Sequence, residues 1–239
     1  MKSVRPFDHL HEFGYAILPG VFAPVEMAAL GNRLAVALQS DQPSVLRSRG
    51  ATYGSRDLVR LLPEVCELPR DARLREFIAA DLGPRAGLVR ALFFDKPPTS
   101  SWSLPPHKDR AIAVKRHGMP TTHFRRPTVK AGVPHVEASE SLLARMLTLR
   151  IHLDPMTAAN GPLSVVPGSH SLPKDEEAGA VEIHAEIGDV LAMRPLLTHS
   201  SSLPHQGTTM GRRVIHLELS GCEEVPDGYE WDSFHAIWG

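Results

Sequence analysis

The segment Pro105-Pro106-His107-Lys108-Asp109-Arg110 places an imidazole and a carboxylate one residue apart. In an extended strand, residues two positions apart face the same way, so His107 and Asp109 can be offered to one ion while Lys108 points away. One nitrogen and one oxygen ligand need a second imidazole to complete the facial set of two histidines and one carboxylate, which leaves positions open on Fe(II). That partner must come from a distant strand, and His199 in Leu196-Leu197-Thr198-His199-Ser200-Ser201 follows a strand opened by Gly188-Asp189. Further along, Arg212-Arg213 opens the last expected strand, and a guanidinium can clasp a carboxylate through two parallel hydrogen bonds. A metal triad with a carboxylate clamp points to a keto acid as co-substrate. Each piece alone is weak. A His-x-Asp triplet in a strand is more often a hydrogen-bonded or solvated pair, and strand-edge arginines commonly do no more than deter edge pairing.

The elements that must position these residues follow from periodicity. Pro24, Glu26 and the stripe Met27, Leu30, Leu34 and Leu38 predict an amphipathic helix, with Gly31 a weak point. A second helix is expected over 71–82, stopped by Gly83-Pro84. From residue 87 onward the pattern changes to short apolar or alternating runs at 87–94, 146–153, 163–166, 181–184, 189–193 and 214–219, which predict strands. Pro97-Pro98, Asn160-Gly161, Pro167-Gly168 and Gly188-Asp189 punctuate them; Asn160-Gly161 is expected to be a hairpin turn and the run ending at His170 a strand-ending turn, with His170 off the metal. The polar stretch 117–140, with His117, His123 and His135, is expected to be a long loop across a barrel mouth. His152 alternates with Arg150 and Asp154, which suggests a structural hydrogen bond. The expected architecture is α+β and mainly β: a jelly-roll or small barrel with the early helices on one outer face.

Composition bounds the function classes. A chain of 239 residues with 42% hydrophobic content can bury a full core, and one domain over 1–239 is expected. Lys and Arg total 26 against 27 Asp and Glu, so no net field gathers nucleic acid or an anionic membrane, and a small-molecule partner fits better. Cys66 and Cys222 are too few for a disulfide framework and form no C-x-x-C pair. Residues 1–12 are mixed polar and no apolar run approaches a signal core or a membrane span, so a cytoplasmic setting is expected. Oligomeric state is not readable.

Several ordered motifs together resemble the phytanoyl-CoA dioxygenase family of 2-oxoglutarate-dependent oxygenases, in particular its small bacterial members. They are Phe13-Gly14-Tyr15-Ala16-Ile17-Leu18, Lys96-Pro97-Pro98, His107-Lys108-Asp109-Arg110, Thr148-Leu149-Arg150-Ile151-His152-Leu153-Asp154, Asn160-Gly161-Pro162-Leu163, Val166-Pro167-Gly168-Ser169-His170, Gly188-Asp189-Val190 and the surroundings of His199. The resemblance implies a double-stranded β-helix (cupin-like) core, with His107, Asp109 and His199 as Fe(II) ligands. It implies Arg212 as the 2-oxoglutarate anchor, with Arg213 the alternative because the interval from His199 to Arg212 is slightly long; strand parity makes the two exclusive. It further implies that Ser201 adds a hydroxyl to the same carboxylate and that Leu92 forms an apolar wall of the co-substrate pocket. The implied activity uses O2 and 2-oxoglutarate to hydroxylate an unactivated C–H of a small metabolite, releasing succinate and CO2. Asp109 favours hydroxylation, since related halogenases lack the carboxylate. Lys108 departs from a common glutamine, and Arg150 stands where some relatives have tryptophan. Arg56, Lys130 and His135 are the substrate-side candidates. No basic cluster for coenzyme A phosphates is visible. Rival readings on this scaffold are a cupin-type hydrolase or isomerase using zinc or manganese, independent of 2-oxoglutarate, and a non-catalytic small-molecule sensor.

Overall fold

The computed structural model describes residues 5–48, 51–98, 102–172 and 179–238; residues 1–4 of the polar N-terminal stretch lie outside them. Five α-helices occur there: α1 (Pro6–Phe13), α2 (Pro24–Ala37), α3 (Leu58–Leu61), α4 (Ala72–Leu82) and α5 (Glu140–Leu143). The two longest match expectation. In α2 the Glu26 carboxylate accepts from the Ala23 amide at 2.7 Å, closing the first turn, and Met27, Leu30 and Leu34 are buried. Gly31 is buried against the sheet, where a Cβ would lie 3.3 Å from the Arg213 guanidinium, so the missing side chain permits close packing. In α4 Asp71 accepts from the Arg73 amide at 2.9 Å, and Gly83, at φ 79, ends the helix.

The strands are β1 (Tyr15–Leu18), β2 (Val45–Ser48), β3 (Ala51–Ser55), β4 (Gly87–Lys96), β5 (Leu104–His107), β6 (Ala111–Ala113), β7 (Phe124–Lys130), β8 (Val133–Ala138), β9 (Met146–His152), β10 (Leu163–Val165), β11 (Val181–Ile183), β12 (Val190–Met193), β13 (His199–Ser201), β14 (Arg212–Ser220) and β15 (His235–Ala236). A large sheet runs β1-β12-β9-β14-β4-β3-β2, with β15 against β4; a smaller one runs β11-β10-β13-β5. These antiparallel sheets form the jelly-roll core, mainly β, with the N-terminal helices on the large sheet. Alternation explains the layering. Leu147, Leu149 and Ile151 of β9 and Ile215, Leu217 and Leu219 of β14 pack with Leu10, Leu30, Leu34, Leu74 and Ile78 from the helices. Their neighbours Arg150, Arg212, Val214, His216 and Glu218 face the other way, into a cavity. β9 is buried throughout because helices cover one face and the cavity residues the other.

Two local expectations are corrected. The stretch 117–140 is not a loop: β7 and β8 form a hairpin that pairs with β6 in a third sheet. Its polarity arises because residues 125–129 face solvent, while Val133, His135, Val136 and Ala138 are buried, and Ala131 and Gly132, at φ 51 and 82, supply the tight turn. Asn160-Gly161 is not a hairpin turn, since β9 and β10 lie in different sheets. Asn160 instead donates to the carbonyls of Pro155 at 2.8 Å and Gly211 at 3.2 Å and accepts from Thr157 at 2.9 Å. Among the described residues no helix is long and apolar enough to cross a membrane.

Candidate active site

The small sheet brings two histidines from distant parts of the chain face to face. His199 of β13 is the register partner of His107 of β5, and their ring centres are 4.4 Å apart. Asp109 lies just past β5, held by its amide to the Pro195 carbonyl at 2.9 Å. Its carboxylate oxygens lie 3.9 Å from His107 Nε2 and 3.6 Å from His199 Nε2. One ligand atom from each residue falls within a 4.8 Å group that could hold a metal ion.

The hydrogen bonds orient both rings for ligation. His107 Nδ1 sits 2.8 Å from the Pro105 carbonyl and His199 Nδ1 2.9 Å from the Leu197 carbonyl. A carbonyl only accepts, so each Nδ1 carries the proton and each Nε2 presents its lone pair inward, as a metal requires. Burial, above all, lowers the His199 pKa and favours the neutral imidazole. Burial works to raise Asp109, yet the imidazoles of His199, His216 and His107, with Arg90, outweigh it and hold the carboxyl below its ordinary value. A deprotonated carboxylate beside two outward-protonated imidazoles is the donor set of a divalent metal with open positions. Lys108 turns away, its ammonium donating to the carbonyls of Ser169 at 2.9 Å and Leu172 at 2.6 Å.

The triad opens on a cavity of about 460 Å³, within the range of small-molecule sites. Arg212 lines it and is only 3% exposed, whereas Arg213 faces away and pairs with Asp154 at 2.7 Å. Among the described residues Arg212 is a guanidinium without an anion: Nη1 points at the Met156 sulfur at 3.0 Å, a weak acceptor, and Nε is buried with no hydrogen-bond partner. Its register partner Lys96 completes the corner, donating to Ser201 Oγ at 2.9 Å and the Ser202 carbonyl at 3.3 Å. Burial, then repulsion from Arg212 and Arg150, pushes the Lys96 ammonium down to about 7. Two buried cations and a hydroxyl in want of counter-charge fit the far carboxylate of a keto acid. Leu92 lines the same cavity, as do Phe94, Leu163 and Val214.

Of the substrate-side candidates, Arg56 and Lys130 line this cavity and His135 does not. His135 is buried, its Nδ1 2.9 Å from the Val133 carbonyl, and burial pushes it down to about 4. Among the described residues His152 finds no hydrogen-bond partner for either buried ring nitrogen, and burial followed by repulsion from Arg150 and Arg212 pushes it down to about 3. Arg150 lies in the cavity wall with Nη1 3.2 Å from His216 Nδ1. Sequence reading passed over Lys96, Arg90, His216 and Glu218 as cavity residues. Strand parity carried the signal, since 90, 92, 94 and 96 of β4 and 212, 214, 216 and 218 of β14 all share the inward face.

Comparison with known proteins adds the following. The sequence profile described as phytanoyl-CoA dioxygenase (PhyH) matches residues 10–213. No curated protein matches the chain. Among solved structures, EctD from S. alaskensis with 2-oxoglutarate and 5-hydroxyectoine is similar with TM-score 0.69 and 20% identity, over 91% of this chain and 76% of that one. The non-heme alpha ketoglutarate dependent epimerase SnoN from nogalamycin biosynthesis gives 0.65 and 20%, over 90% and 82%. The carbocyclase SnoK from nogalamycin biosynthesis gives 0.68 and 15%, over 95% and 88%.

Proposed function

The chain belongs to the phytanoyl-CoA dioxygenase family, and from that premise we propose that it is a non-haem Fe(II)- and 2-oxoglutarate-dependent dioxygenase that hydroxylates an unactivated C–H of a small metabolite. The observation that carries this reading is the convergence of His107, Asp109 and His199 on the same cavity as the uncompensated Arg212 and Lys96. His107 and His199 hold iron through Nε2 and Asp109 through its carboxylate, with the Pro105 and Leu197 carbonyls fixing the rings. Arg212, Lys96 and the Ser201 hydroxyl take the distal carboxylate of 2-oxoglutarate. Bound iron and 2-oxoglutarate, with O2, supply the oxidising chemistry, yielding succinate and CO2 and delivering one oxygen atom to the substrate. Leu92, Phe94, Leu163 and Val214 give the cavity an apolar wall beside these groups.

The fold neighbours include a protein solved with 2-oxoglutarate and 5-hydroxyectoine, an epimerase and a carbocyclase. Hydroxylation is preferred over halogenation because Asp109 fills the position that a halide would need on the metal, and it is the reading carried forward to the test. The test is succinate formation by purified protein with Fe(II), 2-oxoglutarate and O2, followed by mass analysis of products from a metabolite panel for a gain of one oxygen. Turnover sustained by zinc or manganese without 2-oxoglutarate would overturn the proposal, as would undiminished succinate formation by Asp109→Ala.

A further inference from the structure

The cavity holds a second group of cations at the end remote from Arg212. Inward positions run along β14 from Arg212 to Glu218 and along β4 from Lys96 back to Arg90, with Arg212 opposite Lys96 and Glu218 opposite Arg90. From 212 to 218 the strand rise separates the two ends by about 20 Å. Between them lie His216 and Arg150, both of which act electrostatically on or with Asp109 of the triad.

At the remote end Arg90, Arg56 and Lys130 line the cavity. Arg90 engages Glu218 through Nη2 at 3.1 Å, while its Nε and Nη1 are buried without a hydrogen-bond partner among the described residues. The side chains of Arg56 and Lys130 have no hydrogen-bond or ion-pair partner among the described residues. All three cations repel one another, and burial works against the charges of Arg56 and Lys130. Neighbouring carboxylates leave the excess standing. Asp109, which acts on Arg90 and Lys130, belongs to the triad; Glu218 is shared between Arg90 and His216, and Glu137, also in the lining, is engaged by Arg126 at 2.9 Å and Arg125 at 3.4 Å. Partly buried cations without counter-charge are unfavourable, so the missing anion is expected to arrive with a ligand.

We propose that Arg90, Arg56 and Lys130 form the anion-binding end of the substrate site, and that the substrate is a small metabolite bearing a carboxylate or a phosphate monoester. This rests on the Fe(II)/2-oxoglutarate reading of the cavity, in which co-substrate fills the Arg212 end and leaves the Arg90 end for substrate. With the triad between the ends, the C–H to be oxidised lies on the order of 10 Å from the anionic group. The reacting carbon is therefore several bonds from the head group.

Thermal unfolding of the full chain, loaded with zinc in place of iron and saturated with 2-oxoglutarate, keeps the Arg212 end filled and prevents turnover. The probes are 4-phenylbutanoate, its primary amide and benzyl phosphate. An anionic probe should raise the Tm saturably at up to millimolar concentration while the amide does not, and whichever of the two anions responds identifies the head group. An Arg56→Gln/Lys130→Gln double variant should weaken that anion at least tenfold, and Arg56→Lys/Lys130→Arg, which keeps both charges, should retain it. The inference is overturned if the amide stabilises as much as the anions, if neither anion stabilises, or if the charge-removing variant binds as tightly as the parent. Failure of 2-oxoglutarate itself to raise the Tm counts instead against the co-substrate reading; the comparison of variants, repeated without it, still decides the anion site.

Discussion

Arg212 and Arg213 are adjacent in sequence and opposite in surroundings, which makes them a controlled pair. Arg212 is buried in the cavity without an anion, and Arg213 is bound to Asp154 on the other face of β14. Removing a charged hydrogen-bonding partner of the bound co-substrate costs about 2–3 kcal/mol, so Arg212→Ala should raise the KM for 2-oxoglutarate about 30- to 150-fold. Arg213→Ala, losing a half-exposed ion pair, should lower stability by at most about 1 kcal/mol and leave that KM within a few-fold. Equal effects on KM would refute the assignment of faces. Lys96 adds a pH dependence with a definite sign. Burial first, and Arg212 and Arg150 second, push its ammonium down to about 7 in the free protein. A dianion alongside favours the protonated form, so binding takes up a proton wherever Lys96 is neutral. Affinity for 2-oxoglutarate should thus be full below about 7 and weaken above it, by at most about tenfold per pH unit. Calorimetric titration across that range would detect it, and Lys96→Met should flatten the profile; an unchanging affinity in the parent protein would rule the mechanism out.

Elements bring these residues together only because their connections are held tightly, and Gly188 shows how. It sits at φ 85 before β12, and an added Cβ would fall 1.8 Å from the Phe22 carbonyl oxygen, in the connection between β1 and α2. Gly188→Ala should destabilise by at least about 2 kcal/mol, seen as a Tm fall of at least about 4 °C; an unchanged Tm would mean that this packing is not as drawn. The Gly188-Asp189 turn was legible in the sequence, as were α2, α4, β4, β9, β10, β11, β12 and β14, because period and turn residues are local properties. His107, Asp109 and His199 were legible as candidates because ligand chemistry restricts residue type, and Arg212 and Arg213 as alternatives because together they open an apolar strand. The β7–β8 hairpin was not, since a strand with one solvated face reads like a polar loop. Nor were Lys96, Arg90 and Glu218, since charged residues are ordinarily solvated and only the facing of β4 and β14 onto a common cavity puts them inside. His152 misled for the converse reason: a buried imidazole is expected to find a partner, and this one lies unbonded near Arg150 and Arg212.

At the scale of the molecule the helical layer must stay in register with the strands that carry the triad, and one buried ion pair spans them. Asp81, on α4, is fully buried at its side chain and receives Arg194 at 2.5 and 2.8 Å. Arg194 follows β12 in the connection that runs on to His199, and its amide also donates to the Gly14 carbonyl at the end of α1. The ion pair therefore joins α4, and the Arg194 amide the end of α1, to the segment delivering a proposed metal ligand. Removing one partner of a buried pair strands the other charge, at about 3–5 kcal/mol, so Asp81→Ala should lower the Tm by on the order of 10 °C. Replacing both, as Asp81→Leu with Arg194→Met, removes the stranded charge and should recover most of that loss. If the ion pair also sets the position of His199, the double variant should be stable yet bind metal more weakly than the parent. A stable double variant with unaltered metal affinity would assign Asp81 and Arg194 to stability alone, and a single variant as stable as the parent would remove even that role.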